Sequence, residues 1–119
     1  MDVKNLKKRL EDEIVEPLIE LRNEDEDCGF CTRQVMELRK LILKYIKKLA
    51  SLKAPTDEQI LKQMEKLTYA INKLNKKTDL CMLESEIGDD VCFFIEDVAF
   101  DCGLPETDDD ITYEWREEW

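Results

Sequence analysis

The chain has 119 residues, about one domain's worth, with 43% hydrophobic and 39% charged residues and a formal net charge of −11. That length buries one core without disulfides or a metal, and the charge excess fits thin elements with much surface. Three Gly and three Pro are too few punctuators for an all-β fold. The charge is also polarised. Residues 1–77 hold 17 Lys/Arg against 14 Asp/Glu, whereas residues 78–119 hold 15 Asp/Glu against Arg116 alone.

No run of about 18 apolar residues is present, so no membrane span is expected. The Met1–Asn5 start has no apolar core and no small-residue cleavage site, so we expect a cytoplasmic protein. Its five Cys then read as reduced thiols.

In chain order, Leu6, Leu10, Ile14, Leu18 and Leu21 predict a first helix over 3–22. Pro17 predicts a kink or break near Val15–Glu16. The run Glu24–Asp27 reads as a solvated loop. A second helix over 31–52 carries Val35, Leu38, Ile42, Tyr45, Leu49 and Leu52 as one stripe, with Leu41 and Ile46 beside it. Arg39, Lys40, Lys44, Lys47 and Lys48 take its other face. Thr56 and Gln59 form a capping box for a third helix over 57–76. The short Ala54–Pro55 connection makes these two helices antiparallel neighbours. Residues 78–83 read as loop or a turn of helix.

A fourth helix over 84–101 is striped by Ile87, Val91, Phe94, Ile95 and Val98, with Phe93 and Phe100 broadening it. Gly88 weakens its first turn, and Gly103 takes the position just past its end. Residues 106–119 have no sustained period. Trp115 and Trp119 would be wasted in a free tail, so this segment is expected to pack on the bundle. The fold class is therefore all-α: a single-domain helical bundle of about four helices with a packed C-terminal segment.

Catalytic constellations are scarce. Histidine is absent, which excludes Ser-His-Asp and Cys-His catalysis and the Glu-x-x-His di-iron bundle site. Cys28-Gly29-Phe30-Cys31 has redox spacing, but it lacks a βαβ setting and follows an acidic run that raises a thiolate's pKa. Zinc needs four ligands; Cys81, Cys92 and Cys102 could supply the others, but no second C-x-x-C and no His exist. Glu13-x-x-Glu16 and Glu24-x-x-Asp27 resemble magnesium pairs of helical nucleotide hydrolases, but lie too close in sequence for two facing helices; Glu86-x-x-Asp89 lies far away. Asp108–Asp110 lacks the glycine and glutamate of an EF-hand. The sequence calls for no catalytic residue, metal or cofactor.

Net charge −11 argues against nucleic acid as a partner, despite the basic face of the second helix. That face reads instead as balancing the acidic last part across the bundle. At Ala70-Ile71-Asn72-x-Leu74, Glu84-Ser85-Glu86-Ile87, Phe94-Ile95, Phe100 before Gly103, and the acidic approach to Trp119, the C-terminal half resembles a family of small uncharacterised bacterial helical proteins. The resemblance implies a helical domain of unknown function.

The leading expectation is a non-catalytic protein-binding module, in its most concrete form an immunity- or antitoxin-like inhibitor. Glu96, Asp97, Asp101, Asp108, Asp109 and Asp110 would meet a basic protein, with Tyr113 or Trp115 as a buried anchor. The alternative is a structural homodimer or assembly that buries Phe93, Phe100 or Trp119 against a twin chain. A metal-dependent hydrolase using Glu13, Glu16, Glu24 and Asp27 ranks third.

Overall fold

The computed structural model describes residues 1–25, 29–84 and 86–119. The protein is an all-α helical bundle. Helix α1 spans Val3–Leu10, and its N-cap Asp2 accepts a bond from the Asn5 amide at 3.1 Å. A π-helical turn, Glu11–Val15, carries it into α2, Glu16–Glu24. The break expected near Val15–Glu16 is thus a widened turn just upstream of Pro17. The Glu16 amide reaches back five residues to the Glu11 carbonyl. Proline lacks the donor for the carbonyl four residues back and crowds it, and a wider turn relieves that conflict without ending the helix.

Helix α3, Thr32–Ser51, is the centre of the bundle. It packs against α1, the π turn, α2 and the two helices that follow. Helix α4, Asp57–Lys77, begins with the expected capping box. The Gln59 amide donates to Thr56 Oγ1 at 3.2 Å, and Gln59 Oε1 accepts from the Thr56 amide at 2.9 Å. Such a cap is worth about 1 kcal/mol. Among the described residues, no helix is long and apolar enough to cross a membrane.

Helix α5, Glu86–Cys102, lies on both α3 and α4. It ends in a Schellman turn: the Leu104 amide bonds the Ala99 carbonyl and Gly103 that of Phe100, both at 3.1 Å. Gly103 supplies the positive φ, +121°. The stripes of all these helices meet in one cluster. Leu10, Ile14, Leu18, Leu38, Ile42, Ile46, Ile60, Met64, Ile71 and Phe94 are buried almost completely.

The α4–α5 connection is built on Asn75, which is fully buried. Its carbonyl accepts from the Leu80 amide (2.9 Å) and Thr78 Oγ1 (2.8 Å), and its Oδ1 accepts from the Leu83 amide (3.3 Å). This loop presses so closely on α5 that a Cβ on Gly88 would stand 2.6 Å from the Leu83 carbonyl oxygen. Gly88 therefore weakens the helix locally but permits the packing.

Candidate functional site

The C-terminal segment crosses the bundle and is pinned by one side chain of α4. Asn72 donates through Nδ2 to the Trp115 carbonyl at 2.7 Å. Its Oδ1 accepts from the Glu117 amide at 3.0 Å and from the Trp119 indole at 2.6 Å. The indoles of Trp115 and Trp119 and the side chain of Ile111 pack against the core, and Lys76 pairs with Glu117 at 2.6 Å. Helical geometry explains the choice of anchor. Ile71 and Leu74 point into the core, and Asn72 stands at the edge of that stripe, where the tail passes.

A second polar knot holds the middle of the segment against α5. Thr112 is fully buried, and its hydroxyl meets Cys92 Sγ at 3.2 Å. Glu96, 8% exposed, accepts from the Ile111 amide at 3.2 Å. Burial pushes the Cys92 thiol up to about 11 and raises the Glu96 carboxyl above its usual range. Arg116 closes the knot. Its guanidinium pairs with Asp110, donates to the Trp119 carbonyl at 3.1 Å, and lies over the Tyr113 and Trp119 rings, 5.9 and 5.8 Å from their centroids.

Cys92, Glu96 and Asp110 place their ligating atoms within 4.8 Å of one another, the one such group of three among the described residues. Each atom already has a protein partner, and the Arg116 guanidinium supplies the positive charge that a metal would bring. The cluster is therefore read as a latch for the tail.

The eight predicted contact residues separate into two sets. Glu96 belongs to the latch and is turned inward. Asp110 pairs with Arg116, Asp97 with Arg9 at 2.8 Å, and Asp101 accepts from the Asp2 amide at 3.3 Å. Trp115 is half-buried on the core. Asp108, Asp109 and Tyr113 remain exposed, Tyr113 by 71%. Asn72, Thr112 and Arg116 were not in the predicted set. Arg116 was signalled by being the sole cation in an acidic third; Thr112 and Asn72 carry no such mark.

Other candidates disperse. Glu13 pairs with Arg9 at 2.7 Å, while Glu16 and Glu24 are exposed on the outside of the first helical arm; Asp27 lies outside the described residues. Cys28 also lies outside them. Cys31 sits at the N-cap of α3, where its amide donates to Gln34 Oε1 at 2.9 Å. No three of the four described cysteines form a ligand group.

Charge balance across the bundle is real at Arg9–Asp97 and Lys76–Glu117. It does not extend to Lys44, Lys47 and Lys48, none of which lies within ion-pair distance of a described carboxylate, because the acidic segment crosses elsewhere.

Comparison with protein families, with curated proteins and with solved structures finds no match for this chain.

Proposed function

We propose that this protein is a non-catalytic binding module that presents its docked acidic tail to a basic protein. The observation that carries the reading is the exposure of Asp108, Asp109 and Tyr113 on a segment held to the bundle by Asn72 of α4 and by Cys92 and Glu96 of α5. A segment already ordered before binding loses less conformational entropy when a partner arrives. Exposed carboxylates steer a cationic surface toward it. A tyrosine beside them offers a large apolar anchor with a polar tip. An inhibitor of the immunity or antitoxin type, covering the basic nucleic-acid cleft of a toxin, is the form that uses all three properties.

The test begins with capture from nuclease-treated lysate of the source organism at low and high salt. The basic partner is then purified and titrated against wild type, Asp108→Lys/Asp109→Lys and Tyr113→Ala. We expect binding to weaken roughly tenfold or more in each variant and to fall steeply with salt. Unchanged affinity after the charge reversal would sink the electrostatic reading.

A further inference from the structure

The face of the α3–α4 pair carries a groove of about 560 Å³. Leu41, Tyr45, Leu67 and Ala70 form its apolar floor, and Lys44, Lys47, Lys48 and Lys66 stand around its edge. All four lysines are exposed, and none lies within ion-pair distance of a described carboxylate. Four like charges around an apolar floor are an uncompensated arrangement. The occupant that suits it has an apolar body and an acidic collar.

Such an object exists on this same chain. Ile87, Val91, Phe94, Ile95 and Val98 of α5 turn into the core, which leaves Phe93 on the opposite side, 63% exposed. Glu86, Asp89 and Asp90 lie seven, four and three residues before it. All three are exposed and lack ion pairs among the described residues. Positions three, four and seven apart share one helical face. The first-turn acids suit the helix dipole on their own account; the exposed phenyl ring has no such explanation.

Within one copy the two surfaces face apart. Tyr45 lines the groove, and its hydroxyl passes inward to donate to the Ile95 carbonyl of α5 at 2.9 Å. Helix α5 thus lies behind the groove floor, with Phe93 on its far side. The knob of one copy can only meet the groove of another.

We propose that the chain associates with a second copy of itself head to tail. Phe93 of one copy enters the α3–α4 groove of the next, and Glu86, Asp89 and Asp90 meet Lys44, Lys47 and Lys48. The contact is heterologous, so each pair retains one free knob and one free groove, and growth continues until a ring closes. The net charge of −11 on each copy opposes approach. At physiological ionic strength that repulsion is screened beyond about 8 Å, a range longer than the collar contacts themselves. This inference stands apart from the acidic-tail reading, since Asp108, Asp109 and Tyr113 take no part in it.

Sedimentation velocity of the full chain over a concentration series tests it. Wild type forms species larger than a dimer as concentration rises. Phe93→Ser, which removes the knob, and Lys44→Glu/Lys48→Glu, which closes the groove, each weaken association roughly tenfold or more. Lys7→Glu/Lys8→Glu adds the same charge away from the groove and associates as wild type does. The decisive arm mixes the knob variant with the groove variant. One intact knob and one intact groove remain, so the mixture forms a 1:1 dimer and stops there. Helical circular dichroism confirms that every variant is folded. A wild type that stays monomeric overturns the proposal, also where it binds an acidic Phe-containing peptide, which would give the groove to a foreign partner. A mixture that stays monomeric, or one that grows past the dimer, overturns it as well. Binding of a basic partner to monomeric Phe93→Ser is measured separately, so the tail reading survives or fails on its own.

Discussion

Ile71 and Asn72 are neighbours on α4, yet they hold two regions together by different forces. Ile71 is fully buried in the stripe that joins α4 to the rest of the bundle. Asn72 makes three hydrogen bonds to a tail of low apolar content. Hydrophobic burial is spread over many side chains and ties the bundle into one cooperative unit. The tail adds to the packing of Ile111, Trp115 and Trp119 a few directional contacts, each of which can be removed singly. The bundle is thus robust in kind, and the tail is the part that can open.

Alanine at each of the two positions exposes the difference. Ile71→Ala leaves a cavity at the centre and should cost about 2–5 kcal/mol, lowering the urea midpoint of the whole fold. Asn72→Ala should cost less, about 1–3 kcal/mol, because the tail can lift and return its polar groups to water. Its signature is local. Tryptophan emission shifts to the red and the tail becomes a protease site, while helicity is kept. If the Asn72→Ala emission matched wild type, the tail would be held by the apolar contacts of Trp115 and Trp119 instead.

The same contrast explains what could be read from the sequence. The helices α3, α4 and α5 announce themselves by apolar residues at three- and four-residue spacing, and α4 and α5 by their end signals, Thr56 and Gly103. The π turn does not, because it changes the period by one residue only where Pro17 demands it. The tail's partners were invisible for a related reason. Asn72, Thr112 and Cys92 are distant in sequence and individually unremarkable, and a polar residue shows no periodicity. Charge polarity was legible as composition, but not its geometry. Glu96 and Asp110 count as acids in any sum, yet one is buried and the other paired.

Glu96 offers a smaller and subtler probe of the latch. Burial raises its carboxyl in the folded protein, with the Ile111 amide pulling partly the other way. The folded state therefore keeps this proton to higher pH than the unfolded chain does. Its contribution to stability is fully present below the unfolded value and is lost as pH rises through the folded one. Wild type should gain stability on acidification through the window between those two values. Glu96→Gln retains an acceptor for Ile111 and removes a charge beside Asp110, so its profile there should be flatter. It should also be at least as stable as wild type at neutral pH. Urea midpoints across the range decide this. An unchanged slope with lower stability would mean that the carboxylate is needed for Arg116.

The smallest effect concerns two turns with one design. Helices α4 and α5 both end in Schellman turns, with bonds from Leu80 to Asn75 and from Leu104 to Ala99. The α5 turn uses Gly103, whereas the equivalent position after α4 is Asp79, at φ +56°. A side chain in that left-handed region is strained by about 1–2 kcal/mol, somewhat less for aspartate. Glycine relieves the strain but adds freedom to the unfolded chain, which takes back part of the gain. Asp79→Gly should therefore stabilise by about 0.5 kcal/mol. The reciprocal change, Gly103→Asp, should destabilise, although no atom beyond its chain neighbours lies within 4 Å of where its Cβ would sit. That loss would be purely conformational, since φ +121° is open only to glycine. If Gly103→Asp were neutral, the turn must relax toward the Asp79 geometry, and Leu104 would have to move from its buried place to follow it.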